Sequence, residues 1–97
     1  MPGIRVRYLA TLYDAVGRFE EEIDCSDPCT VREALNILTS MHPVLKEHLG
    51  ENYEFIGEDV QVLVNGRNIE FLNNLSTRLK DGDVIVLIPP AAGGLLS

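Results

Sequence analysis

Ninety-seven residues are one domain's worth of chain, enough for a single modest core. With 45% hydrophobic and 24% charged residues the composition is that of an ordinary globular protein, and no apolar run approaches the roughly 20 residues that span a bilayer. The formal charge is −7, with 15 acidic against 8 basic residues; without a Lys/Arg cluster this argues against nucleic acid and for a basic protein surface as partner.

The start, Met1-Pro2-Gly3-Ile4-Arg5-Val6-Arg7, alternates charge with bulk, whereas a signal peptide follows its basic start with an unbroken apolar stretch. A cytoplasmic location is therefore expected. Ile4, Val6, Tyr8, Ala10 and Leu12 alternate with polar residues and predict a first strand over Ile4 to Leu12. Tyr13 to Gly17 supplies turn residues. A second strand is predicted from Arg18 to Asp24, making an N-terminal hairpin, with Glu20-Glu21-Glu22 as a solvated, charged edge.

Cys25 and Cys29 stand four apart, with no second Cys/His pair at zinc spacing. They are expected to be two ordinary thiols beside a turn, and no metal site is expected. Thr30-Val31-Arg32-Glu33 has the form of a capping box, and Val31, Ala34, Leu35, Leu38 and Met41 then repeat at helical spacing. Pro43 disfavours helix in the residue before it, so the helix should stop near His42. Val44 to Leu49 fits a short second helix closed by Gly50. His42 and His48 read as surface or helix-end residues, and Glu51 to Asp59 as a loop.

Val60, Val62 and Val64 alternate as a third strand, ended by the turn pair Asn65-Gly66. Arg67 to Phe71 is expected to return as a short strand, and Leu75 to Leu79 leads into the turn Lys80-Asp81-Gly82-Asp83. Val84 to Ile88 is an unbroken apolar run, which suits a central strand covered on both faces. One main helix and one mixed sheet make a two-layer α+β domain over residues 1–88.

Residues 89–97 form a tail, Pro89-Pro90-Ala91-Ala92-Gly93-Gly94-Leu95-Leu96-Ser97. The prolines cannot extend a hydrogen-bonded ladder and favour an extended exit. Two alanines and two glycines add almost no bulk, and six extended residues from Pro89 to Gly94 reach about 20 Å. Such a tail can thread a narrow channel, and a glycine carbonyl can be approached without a Cβ in the way. That suits acyl chemistry at a carboxylate presented to an enzyme. The chain has no phosphate-binding loop ending in Lys-Ser/Thr and no catalytic constellation of its own, so activation must come in trans and the chain is not an enzyme by itself.

Ile4-Arg5-Val6-Arg7-Tyr8-Leu9-Ala10 with Val16-Gly17, the helix start Thr30-Val31-Arg32-Glu33-Ala34-Leu35, the pair Asn65-Gly66, and Leu79-Lys80-Asp81-Gly82-Asp83 followed by Ile88-Pro89-Pro90-Ala91-Ala92-Gly93-Gly94 resemble the MoaD/ThiS sulfur-carrier family. The resemblance is nearest to the molybdopterin synthase small subunit. It covers nearly the whole chain and implies a ubiquitin-like β-grasp fold. It further implies that Gly94, preceded by Gly93, is adenylated by a separate ubiquitin-activating-type enzyme that uses ATP, then converted to a thiocarboxylate. The sulfur would pass to a pterin precursor in the active site of the synthase large subunit, during molybdenum or tungsten cofactor biosynthesis. No cofactor would be bound by the chain itself.

In the ubiquitin-like arrangement Ile85 and Leu87 face the helix, while Val86 and Ile88, joined by Leu9, form an open apolar patch for both partners. Pro89, Pro90, Ala91 and Ala92 would lie in the partner's channel. The chain departs from the family pattern by continuing three residues past Gly94, so a processing protease that removes Leu95-Leu96-Ser97 is expected. The alternatives are a protein modifier joined through Gly94 to target lysines, and a sulfur carrier for thiazole or tRNA thiolation.

Overall fold

The computed structural model describes residues 1–90. The first strand, β1, runs over Gly3–Tyr8, with Ile4, Val6 and Tyr8 fully buried and Arg5 and Arg7 exposed on the opposite face. It is shorter than the alternation suggests. Ala10 takes a positive φ of 52°, and the chain then turns into a short helix, α1 (Thr11–Val16), capped by Gly17 at φ 87°. Leu12 is fully buried from the helix; one inward side chain satisfies either period, which is why the strand reading ran too far.

The second strand, β2 (Glu20–Asp24), pairs antiparallel with β1, placing Glu22 opposite Arg5 and Glu20 opposite Arg7. Its acidic run is only partly a solvated edge. Glu20 and Glu22 lie on the outer face, but Glu21 shares the inner face with Ile23 and is buried. There its carboxylate accepts from the Tyr8 hydroxyl, from His42 Nε2 at 2.7 Å and from Arg18 Nη1 at 3.1 Å. Burial opposes ionisation of Glu21, but the bonds from Tyr8 and His42 outweigh it and hold the carboxyl below its usual range. Burial, reinforced by the Glu21 bond, pushes the Tyr8 phenol in the other direction, well up. His42 is thus more than a helix-end residue: its ring also packs edge-on against Tyr8, centroids 6.1 Å apart.

Cys25 and Cys29 are joined in a disulfide, with Cα atoms 5.7 Å apart, so the expectation of two free thiols is overturned. Both are buried where the connection from β2 doubles back. The intervening turn has a cis Asp27–Pro28 bond. Spacing alone cannot reveal such a pairing, because whether two Cβ atoms converge is a property of the backbone path.

A two-residue strand, β3 (Cys29–Thr30), leads into the main helix, α2 (Val31–Met41). The Thr30 hydroxyl accepts from the Glu33 N–H at 3.2 Å, one arm of the expected capping box. Val31, Ala34, Leu35 and Leu38 are fully buried, each of the larger ones adding about 1.5–3 kcal/mol by burial. A third helix, α3 (Leu45–Leu49), follows the Pro43 break and ends at Gly50. The strands β4 (Gln61–Val64) and β5 (Arg67–Asn68) form a hairpin over Asn65-Gly66, after which the chain enters a 3-10 turn at Ile69–Phe71 rather than the longer strand expected. A further 3-10 turn, Asn74–Ser76, precedes β6 (Arg78–Leu79), which pairs with β3 in a separate two-stranded sheet.

The last strand, β7 (Val84–Ile88), completes the five-stranded order β2-β1-β7-β4-β5. It runs parallel to β1 and antiparallel to β4, at the centre of the sheet. Its burial alternates, with Ile85 and Leu87 fully buried and Val84, Val86 and Ile88 partly exposed. The unbroken apolar run therefore does not mean cover on both faces. The helices pack on one face only, giving the expected two-layer β-grasp.

Candidate interaction face and tail root

The tail leaves the sheet from its central strand. Residues Ile88 and Gln61 stand opposite one another at the last rung of β7 and β4. Beyond this, Pro89 is buried and Pro90 exposed. Proline lacks the N–H that another rung requires, so pairing ends here and the chain is released from the middle of the sheet. Ala91, Ala92, Gly93 and Gly94, together with the three residues after them, lie outside the described residues.

The open face of the sheet adjoins this exit. Val86 and Ile88 lie on it, as expected. Leu9 is half-buried and its N–H donates to the Leu87 carbonyl at 3.2 Å, which brings it level with the Ile88 end of the sheet. Two further residues enlarge the face. Leu63 stands directly across from Val86, and Val84 lies one pleat below on β7. Leu63 falls between the alternating Val62 and Val64, and only the register shows that it meets Val86. Arg7 is opposite Val86 on the other side and Arg5 opposite Val84, so two arginines flank the apolar stripe. Arg5 and Arg7 both reach Glu20, Arg7 through Nε at 3.0 Å. Those two bonds, Arg5 first, hold the Glu20 carboxyl below its usual range.

On the helix side of the exit is a cleft of about 300 Å³ lined by Thr11, Glu47, His48, Phe55, Asp59, Val60, Pro89 and Pro90. It draws on α1, α3, the loop before β4 and the tail root, segments that no local pattern connects. The loop is held by its backbone: Phe55 N–H donates to Leu49 O at 3.0 Å, and Asp59 N–H to Phe55 O at 2.8 Å. Tyr53 anchors it to α2, its hydroxyl donating to Asn36 Oδ1 at 2.5 Å. Among the described residues no group of three or more His, Cys, Asp or Glu side chains could hold a metal ion, and no helix is long and apolar enough to cross a membrane.

A family model described as the ThiS family matches residues 6–94. Small archaeal modifier protein 3 of Haloferax volcanii is 34% identical over 91 residues, covering 94% of this chain and 98% of that protein. The crystal structure of SAMP1 from Haloferax volcanii superposes with a TM-score of 0.82 at 28% identity, over 95% of this chain and 99% of that one. A Pyrococcus furiosus structure described as a molybdopterin converting factor, subunit 1, superposes with a TM-score of 0.78 at 33% identity, over 94% of this chain and 100% of that one.

Proposed function

The chain belongs to the ThiS family of small ubiquitin-like carriers, and from that premise we propose that it carries sulfur on Gly94. In this reading Leu95-Leu96-Ser97 is first removed by a protease. A separate ubiquitin-activating-type enzyme then joins the freed Gly94 carboxylate to the α-phosphorus of ATP, and pyrophosphate leaves. Hydrosulfide from a sulfur donor displaces AMP from the acyl adenylate, leaving a thiocarboxylate and releasing a proton. As the small subunit of a molybdopterin synthase the chain donates that sulfur to a pterin precursor held by the large subunit. ATP belongs to the activating partner, and the chain supplies only the carboxylate and its presentation.

The observation that carries the reading is the extent of the family match, which runs through Gly94, combined with a central strand that ends at two prolines. A tail released from mid-sheet beside an open apolar face lets one partner grip the body and the terminus together. Leu9, Leu63, Val84, Val86 and Ile88 form the gripping face, and Pro89, Pro90, Ala91, Ala92 and Gly93 deliver Gly94.

One finding favours a second reading from another class. The 34% identical relative is named a modifier protein, and the same Gly94 adenylate could acylate a lysine amine of a target instead of sulfur. Co-expression with the host's adenylating enzyme, followed by intact mass, separates the two. A species ending at Gly94 and heavier by one oxygen-to-sulfur exchange supports the carrier. Target peptides bearing Gly94 on lysine, without a thiocarboxylate, support the modifier. A chain produced to end at Gly94 that gains neither sulfur nor conjugates refutes both.

A further inference from the structure

We propose that the cleft at the tail root receives an arginine side chain of the enzyme that activates the tail. The inference rests on the carrier reading and deepens it by stating the chemistry of that enzyme's surface. Glu47 and Asp59 place two carboxylates in the cleft, and among the described residues neither forms an ion pair with a basic side chain. The remaining walls are of another kind. Phe55 is about a third exposed, at 36%, and with Pro89 and Pro90 it offers flat apolar surface. Carboxylates and an aromatic side chain lining one cleft suit a guanidinium, which donates in a fork-like geometry and stacks on rings, better than an ammonium. A volume of about 300 Å³ leaves room for such a side chain.

Position supplies the second argument. Gly94 lies four residues beyond Pro90, no more than about 14 Å of extended chain. Any enzyme that holds the Gly94 carboxylate in its active site therefore covers the tail root. On the open sheet face Arg5 and Arg7 are already paired with Glu20, whereas in the cleft Glu47 and Asp59 have no basic partner among the described residues. Two unpaired carboxylates on one side of the exit help fix how an approaching basic surface can be turned about the tail. The arginine is a positioning contact, remote from the reacting carbon.

The first test uses the isolated chain and ethylguanidinium chloride, followed by amide chemical shifts, with ethylammonium chloride as comparison. Shifts confined to Thr11, Glu47, His48, Phe55, Asp59 and Val60, larger for the guanidinium and lost in Glu47→Gln/Asp59→Asn, support the assignment. Shifts spread over the surface, or equal for the two cations, overturn it. The second test is pyrophosphate exchange by the adenylating enzyme with a chain ending at Gly94. The double variant is expected to raise KM about tenfold with kcat within twofold, as loss of an interfacial charge contact does. An unchanged KM, with exchange by the wild-type chain intact, overturns the cleft assignment and leaves the carrier reading standing. No exchange with the wild-type chain refutes the carrier reading and with it the assignment. Thermal melts of the double variant should match wild type, since both side chains are exposed.

Discussion

Glu21 is the residue whose role departs most from its sequence context, and Glu21→Gln puts that role to a direct test. The substitution keeps shape and removes charge. The carboxylate now accepts from Tyr8, His42 and Arg18, whereas an amide offers one oxygen and turns an NH2 group towards donors. Arg18 is largely exposed, with 58% of its side chain accessible, and contributes little. Tyr8 is fully buried and the His42 side chain is 21% accessible, so their bonds to a charged acceptor count. At about 1.5–3 kcal/mol for each such bond, with the amide retaining one, the variant should lose about 1.5–3 kcal/mol. In a chain of this size each kcal/mol moves the melting temperature by about 4–8 °C. The assay is urea unfolding of both proteins at a series of pH values. Because the folded state holds the Glu21 carboxyl below its ordinary range, its contribution is full above the unfolded carboxylate value. It is lost as pH falls through the lower folded value. The gap between wild type and variant should therefore hold from neutral pH to about pH 5 and narrow at lower pH. A gap under about 0.5 kcal/mol, the size of an ordinary surface change, or one that fails to narrow as pH falls below the ordinary carboxylate range, would refute the reasoning.

Reduction of the Cys25–Cys29 disulfide opens a loop of sequence separation 4; the chain-entropy relation gives about 2 kcal/mol, to be read as a lower melting temperature with dithiothreitol. Asn65→Ala should cost about 2–3 kcal/mol in chemical denaturation, because it loses the bond from Val84 N–H to Asn65 Oδ1 at 3.0 Å and leaves alanine at φ 51°. Asn65→Gly should recover part of that loss, since glycine tolerates the conformation. Ile88→Asp, on the partly exposed face of β7, should weaken binding to the adenylating enzyme at least tenfold in a titration, as loss of an interface anchor does. Its melting temperature should stay near wild type, and unaltered binding would remove Ile88 from the interface.

Much of the fold was legible because its signals are local. Thr30 and Glu33 mark the start of α2, Pro43 ends it, Asn65-Gly66 forces a tight hairpin, and Pro89-Pro90 stops the central strand. Each depends on what a backbone can do over a few residues. The tail's slim, stiff-then-small order is local too, and it is what pointed to Gly94. Where the reading slipped, two structures shared one pattern. Leu12 is buried by a helix as readily as by a strand, and Val84–Ile88 would look the same with one face covered or two.

Only the tertiary structure decided the rest, and the reason is separation along the chain. Glu21 is an ionised residue in an acidic run until His42 and Tyr8 are brought onto it, 21 and 13 residues away. Cys25 and Cys29 are two thiols until the turn converges their side chains. The apolar face needs the register that sets Leu63 opposite Val86, and the tail-root cleft needs Thr11, Asp59 and Pro89 in one place. The sequence by itself determined which backbone segments could form, and its tail motif is what the proposal of Gly94 rests on. The packing of those segments decided which charges are buried, which are paired and which are left exposed.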